Sequence, residues 1–208
     1  MCDKSIFLKP TSEQEISSII KKLKNKHSHS WDGISPRVLK ECYVPILKIL
    51  TELINRCLLE GIFPDILKLS EVKPLFKKGD KFDPSNYRPI VLISTFCKVF
   101  EYVIYHRIIE FMEKNDLINE KQFGFRKGLS TTDAIIEYCE TLLDSLDKNK
   151  HSVGVFHDLS KAFDSVDHQI LLHKVDRYGI RGKALELITS YLQNRWQLTE
   201  ISAITNNN

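Results

Sequence analysis

Apolar residues recur at helical spacing along most of this chain and give way to strand-like runs in two places, Val72–Ile93 and Ser152–Asp158. That alternation limits the fold to a helix-rich α+β arrangement with little sheet. The first helix is expected from the capping box Ser12-Glu-Gln-Glu15, with Ile16, Ile19, Ile20 and Leu23 on one face, ending in Lys24-Asn-Lys26. Ser35-Pro36 predicts a second helix start, Pro45 an interruption, and Gly61 the stop. Between Val72 and Ile93 two short strands flank the basic turn Lys77-Lys-Gly-Asp-Lys81, which predicts an antiparallel hairpin with a cationic tip.

Further helices are expected from about Thr95 to Lys114 and from Thr131 to Leu146, the latter with Ile135, Tyr138, Cys139, Leu142 and Leu146 inward. A strand over Ser152–His157 should end at Asp158, followed by two helices, one stopped by Gly179 and one carrying Leu185, Ile188, Tyr191 and Leu192. The tail after Arg195, through Asn206-Asn-Asn208, is expected to fray.

Hydrophobic residues make up 42% and charged residues 27%, the balance of a folded domain, and a net charge of +3 permits a polyanionic partner without requiring one. The 5 cysteines are widely spaced with no Cys-x-x-Cys pair, which predicts buried thiols and not a zinc site or disulfide framework. No apolar stretch is long enough for a membrane span and no signal-peptide core is present, so an intracellular location without a membrane partner is expected.

Three groups of residues could carry chemistry. Asp158, at a strand end before the turn Leu159-Ser-Lys-Ala-Phe163, reads either as a hard oxygen ligand for a divalent cation or as a turn or N-cap residue. Asp164 and Asp167 read better as caps of the following helix. A hydrolase site drawing on His157, Asp158, Asp164 and His168 is disfavoured, because adjacent strand residues point to opposite faces. In the hairpin, Lys73, Lys77, Lys78, Lys81 and Tyr87-Arg88-Pro89 suit a triphosphate or make a solvated tip. In Gln122-Phe-Gly-Phe-Arg-Lys-Gly-Leu-Ser-Thr131, Gly124 permits close backbone approach, Arg126 and Lys127 supply charge, and Ser130 and Thr131 supply hydroxyls for a nucleic-acid backbone. Phe123 and Phe125 serve equally as core anchors.

Taken in order, Trp31-Asp-Gly-Ile34, Lys77-Lys-Gly-Asp80, Asn86-Tyr-Arg-Pro-Ile90, Gln122-Phe-Gly-Phe-Arg126 with Ser130-Thr131, and Asp158-Leu-Ser-Lys-Ala-Phe-Asp-Ser-Val-Asp-His168 resemble reverse transcriptases of jockey-like non-LTR retrotransposons. Tyr178-Gly-Ile180 and Ser190-Tyr-Leu-Gln-Asn-Arg195 extend the likeness over nearly the whole chain. The resemblance implies an RNA-directed DNA polymerase of right-hand form: a helical N-terminal extension at 1–65, fingers at 66–150 and the start of the palm, with an incomplete palm sheet, at 151–208.

It implies Asp158 as catalytic ligand of Mg²⁺, or of Mn²⁺ in its place, with the Leu159 carbonyl beside it and Phe163 selecting deoxynucleotides. Lys77, Lys78 and Arg88 would hold the incoming dNTP, while Gln122, Gly124, Phe125, Arg126, Lys127, Ser130 and Thr131 would meet an RNA template and DNA primer. No protein partner is evident. His157 and the Ser28-His-Ser approach to Trp31 depart from the family pattern. The family's Pro-Gln-Gly segment and Asp-Asp hairpin are absent, so the expectation is a truncated domain with an incomplete ligand set, inactive as an isolated chain. The alternative is a non-catalytic RNA- or DNA-binding fragment using the basic fingers surface.

Overall fold

Ser12 and Ser35 start the first two helices as the sequence predicts. In this computed structural model, which describes residues 2–199, the Ser12 hydroxyl accepts from the Glu15 amide and opens α1 (Glu13–Lys22). The reciprocal half of the box is not made: the Glu15 carboxylate turns instead to Arg107 and to the Thr11 hydroxyl. Ser35 caps α2 (Pro36–Glu60), which runs unbroken for 25 residues through Pro45, contrary to the expected interruption. Pro45 lies on the exposed side, where water can take up the carbonyl freed by the missing N–H, and the apolar face from Ile46 to Leu58 carries the helix on.

Gly61 closes α2 in the left-handed region at φ 72°, and a Cβ there would stand 3.0 Å from both Glu186 Cβ and the Lys183 carbonyl oxygen. Gly61→Ala is therefore expected to cost about 1–2 kcal/mol in a urea melt, from the backbone conformation and the close approach together.

The predicted hairpin forms from β1 (Leu69–Phe76) and β2 (Tyr87–Ile93), antiparallel with Ser70 opposite Ile93 and Phe76 opposite Tyr87. It is followed by α3 (Thr95–Lys114), α4 (Thr131–Asp147), α5 (His168–Arg177) and α6 (Lys183–Leu192). A last strand, β3 (Trp196–Thr199), pairs parallel with β1, giving one mixed sheet in the order β2-β1-β3. The expected frayed tail is thus corrected for these four residues: they are exposed, and backbone pairing with β1 holds them. The rest of that tail, with Asn206–Asn208, lies outside the described residues.

The strand expected over 152–158 is also corrected. The segment is irregular, with Val153, Val155 and Phe156 exposed, and it joins no ladder. An apolar run becomes a strand only where a neighbour supplies hydrogen-bond partners, and none does here. A second, palm-like sheet is accordingly not present among the described residues. The helix α4 forms as predicted, but Ile135, Tyr138, Cys139 and Leu146 are exposed and only Leu142 is half-buried, so the inward face expected for it is uncovered.

The described residues fall into two units, one made of the chain up to Ile109 and from His168 onward, the other of Glu110–Asp167. The first holds the core, where Ile16 and Ile20 of α1, Leu39, Ile54 and Leu58 of α2, Phe63, Val99, Phe100 and Val103 of α3, and Leu187 of α6 are packed together. Phe63 stacks on Phe100 and meets Tyr191 edge-on, each at 4.9 Å between centroids. Arg107, 4% exposed, binds Glu15 with both terminal nitrogens at 2.7 Å and donates to the carbonyls of Lys9 and Pro10.

The five cysteines are free; Cys97 is buried, as expected, but Cys42 and Cys139 are exposed on the outer faces of α2 and α4. Burial, with Glu101 beside it, pushes the Cys97 thiol up to about 12, which makes it inert as a nucleophile. Among the described residues no helix is long and apolar enough to cross a membrane.

Candidate nucleotide and nucleic-acid site

The hairpin tip is fixed by its own backbone and amide contacts, and this leaves its cations free. The Lys77 amide donates to the Asn86 carbonyl at 2.8 Å, the Asn86 side-chain amide to the Asp80 carbonyl at 2.9 Å, and the Tyr87 hydroxyl to the Lys81 carbonyl at 2.9 Å. Gly79 sits at φ 95° with the Asn86 side chain packed where a Cβ would be, 2.8 Å away, so a glycine is required there. Asp83 binds the amide and hydroxyl of Ser85, and that hydroxyl holds its carboxyl below the usual carboxylate range.

Lys77, Lys78, Lys81 and Arg88 are exposed and have no ion-pair partner among the described residues. Lys73 differs: its ammonium lies 3.0 Å from Glu71. Since Leu75 faces Arg88 and Lys73 faces Ile90 across the ladder, Arg88 and Lys73 share one face of the hairpin. Unpaired cations on a rigid two-stranded arm form a surface able to take polyphosphate.

The loop before α4 belongs to the other unit. Ser130 caps α4 in a full capping box: its hydroxyl donates to Asp133 at 2.6 Å and accepts from the Asp133 amide, which commits the hydroxyl hydrogen to the helix end. The same contact holds the Asp133 carboxyl low. Arg126 is half-buried, its guanidinium 3.5 Å from the carbonyls of Asn119 and Glu120, while Lys127 is exposed. The Gln122 amide reaches the Gly124 carbonyl at 3.4 Å. Phe125 is 85% exposed at φ 61° and no core anchor, whereas Phe123 is half-buried. Thr131 opens α4 on its exposed side. Lys121 pairs with Glu137 and ties the loop to the helix.

In the same unit Asp158 is exposed, without a hydrogen-bond partner among the described residues, and no helix starts at it, so it is not an N-cap. A turn follows, closed by the Ser165 amide donating to the Lys161 carbonyl at 3.0 Å, with Lys161 at φ 52°. Leu159 is exposed beside it, and Phe163, also exposed, meets Phe125 edge-on at 6.2 Å. The structure thus brings together the aromatic of the glycine loop and the aromatic of the Asp158 turn.

Among the described residues no group of three or more His, Cys, Asp or Glu side chains is placed to hold a metal ion. Asp158 therefore does not fit a complete divalent-cation site with the residues described, and the hydrolase arrangement gains no support. Residue type and spacing do not mark the turn at Ser30–Ile34 as chemistry-bearing, although four of its groups bond to the base of the hairpin and the start of α3.

The chain is mixed and helix-rich, with a small three-stranded sheet, a cationic hairpin, a glycine-aromatic loop and an exposed aspartate turn. Residues 76–207 match the reverse transcriptase (RNA-dependent DNA polymerase) family model, and the chain belongs to that family. It is 31% identical over 198 residues to the probable RNA-directed DNA polymerase from transposon BS of Drosophila melanogaster, covering 92% of this chain and 21% of that protein. To the probable RNA-directed DNA polymerase from transposon X-element of the same fly it is 30% identical, covering 89% and 20%. To the RNA-directed DNA polymerase from mobile element jockey of Drosophila funebris it is 28% identical, covering 89% and 20%. The chain spans about a fifth of the length of these curated relatives.

Proposed function

We propose that this chain supplies the nucleotide-gripping fingers and the first palm turn of an RNA-directed DNA polymerase of a non-LTR retrotransposon. The observation that carries the reading is the hairpin: Lys77, Lys78 and Arg88 stand exposed and unpaired on an arm whose tip is locked by Asn86 and Tyr87. In this reading the chain divides functionally into an extension at 1–65, fingers at 66–150 and the beginning of a right-hand palm at 151–208.

Lys77, Lys78 and Arg88 take the triphosphate of a dNTP, Arg88 by its planar fork. Phe163 packs on the sugar, and the Gln122–Thr131 loop meets template or primer backbone through Lys127, Arg126 and the Gly124 main chain. Polymerases of this kind draw on divalent metal ions for phosphoryl transfer. Asp158, with the Leu159 carbonyl, would furnish part of the ligand set, and carboxylates beyond those described must complete it. By itself the 208-residue chain is then inactive.

Primer extension tests this directly. The purified chain with RNA template, DNA primer, dNTPs and Mg²⁺ is expected to add no nucleotides. Extension that disappears on Asp158→Asn would overturn the inactive half of the reading.

A second reading, nucleic-acid binding without catalysis, is favoured by the exposed cations of the hairpin and loop. It predicts single-stranded RNA affinity that falls with salt, and replacing Arg88, Arg126 and Lys127 by Gln should reduce the slope of log K against log salt by about 2, from roughly 0.7 per phosphate contact. Fluorescence anisotropy across a salt series reads both. Salt-independent or absent RNA affinity would rule this reading out.

A further inference from the structure

Among the described residues the hairpin is buried at its root and exposed beyond it. From Lys73 to Phe76 on β1 and from Arg88 to Val91 on β2 its residues are exposed on both faces, whereas Ser70, Glu71 and Val72 are buried. The direction in which it presents Lys77, Lys78 and Arg88 is therefore set by what grips the root.

β3 pairs with the outer edge of β1 at Leu69–Val72, and the side-chain grip that reaches both strands comes from one turn. The Ser30 carbonyl accepts from the Gly33 amide at 2.9 Å, and the Asp32 carboxylate accepts from the Ile34 amide at 3.1 Å, with Gly33 at φ 68°. From this turn the Ser30 hydroxyl, 2% exposed, donates to the Leu92 carbonyl of β2 at 2.7 Å. The Trp31 indole donates to the Leu69 carbonyl of β1 at 3.2 Å. The second Asp32 oxygen accepts from the Ser94 hydroxyl at 2.6 Å, and Ser94, 1% exposed, also receives the Phe96 amide at the start of α3. Thr95 donates to the Ile34 carbonyl at 2.6 Å. Both strands are thus held at their roots from a single turn, and Asp32 is its centre: one oxygen shapes the turn while the other fastens it to the junction between β2 and α3.

We infer that Asp32 is a positioning residue for nucleotide binding, acting through Ser94, Ser30 and Trp31 to aim the hairpin that carries Lys77, Lys78 and Arg88. The inference rests on the reading of that hairpin as the triphosphate holder. A charged acceptor suits this task because two donors, one of them a buried hydroxyl, converge on a single side chain and are satisfied without another partner. Alanine at this position leaves the Ser94 hydroxyl without its acceptor and the turn without its internal bond, and the arm gains freedom at its root. Small misplacement of a binding group is enough to weaken a multi-point contact strongly.

The test measures dTTP affinity of the full 208-residue chain together with hydrogen exchange of the hairpin amides. Asp32→Ala is expected to weaken dTTP binding on the order of tenfold and to speed exchange at the Lys73–Phe76 and Tyr87–Ile90 amides, while the Val99–Val103 amides of α3 keep their protection. Asp32→Asn, which keeps one of the two oxygen acceptors in the same volume, should recover part of both. Arg88→Ala should weaken binding without changing exchange. Wild-type affinity in Asp32→Ala beside a weakened Arg88→Ala overturns the positioning role alone, as does an Asn variant no better than Ala. Equal affinities of the wild type and Arg88→Ala, including no measurable binding by either, overturn the hairpin reading and the inference with it. If Asp32→Ala also loses α3 protection, Trp31→Phe decides, since it removes only the indole donor to Leu69. Weakened dTTP binding with α3 intact then supports the role, and unchanged binding overturns it.

Discussion

Arg107→Ala is expected to destabilise the chain by about 3 kcal/mol in urea denaturation, because it removes one half of a buried ion pair and leaves the other behind. The guanidinium is almost fully enclosed and satisfies four acceptor atoms: both Glu15 oxygens and the carbonyls of Lys9 and Pro10. The Glu15 side chain remains 25% exposed, so water relieves part of the loss, and the expected cost sits at the low end for such pairs. The same contact has a pH signature. The hydrogen bonds from Arg107 outweigh burial and, with that from Thr11, lower the Glu15 carboxyl from 4.5 to about 2. A depressed folded-state value stabilises the fold fully above the unfolded value and loses that contribution as pH falls through the folded one. The gap in stability between wild type and Arg107→Ala should accordingly be widest above about pH 5 and shrink between pH 4.5 and about 2. A gap independent of pH over that range would assign the cost to packing and not to charge.

Phe63→Ala should cost about 3–5 kcal/mol, the range for emptying a fully buried aromatic site. Phe63 is 0% exposed, stacked on Phe100 and edge-on to Tyr191, and its amide donates to the Ser190 hydroxyl at 3.0 Å. It lies between Phe100 of α3 and Tyr191 of α6. The Tyr191 hydroxyl donates to Glu101 at 2.7 Å, and burial together with that carboxylate raises its ionisation well above the ordinary tyrosine value. Loosening α6 admits water to this pair, so ultraviolet titration of the variant should show tyrosine ionising at lower pH than in the wild type. A variant that loses stability with an unchanged tyrosine titration would show that the pair is held independently of Phe63.

Local signals carried much of the fold. Ser12, Ser35-Pro36 and Gly61 mark helix ends by hydrogen-bond chemistry acting over a few residues, and α1, α2, α3 and the hairpin form where those signals place them. What was illegible depends on distant partners. The run at 152–158 has the composition of a strand but no neighbour to pair with, while Trp196–Thr199, exposed and short, is a strand because β1 lies beside it. The apolar face of α4 was legible as a pattern, yet whether anything covers it is not a local property.

The candidate site divides in the same way. Lys77, Lys78, Arg88 and Asp158 stand out by residue type and turn chemistry. The grip of Asp32 on Ser94, 62 positions along the chain, leaves no trace in spacing or periodicity. By residue type the Ser130 hydroxyl suits a ligand donor, and the capping box takes that hydroxyl first.

The mixed sheet also imposes an order on synthesis. β1 can pair with β2 as soon as the turn between them has emerged, but its other edge waits for Trp196, 126 residues after Ser70. Throughout that interval a growing chain carries β1 with one row of unpaired backbone groups, the kind of edge that recruits strands from neighbouring chains. The edge stays open until Trp196–Thr199 have left the ribosome, and it is then closed from within the same chain.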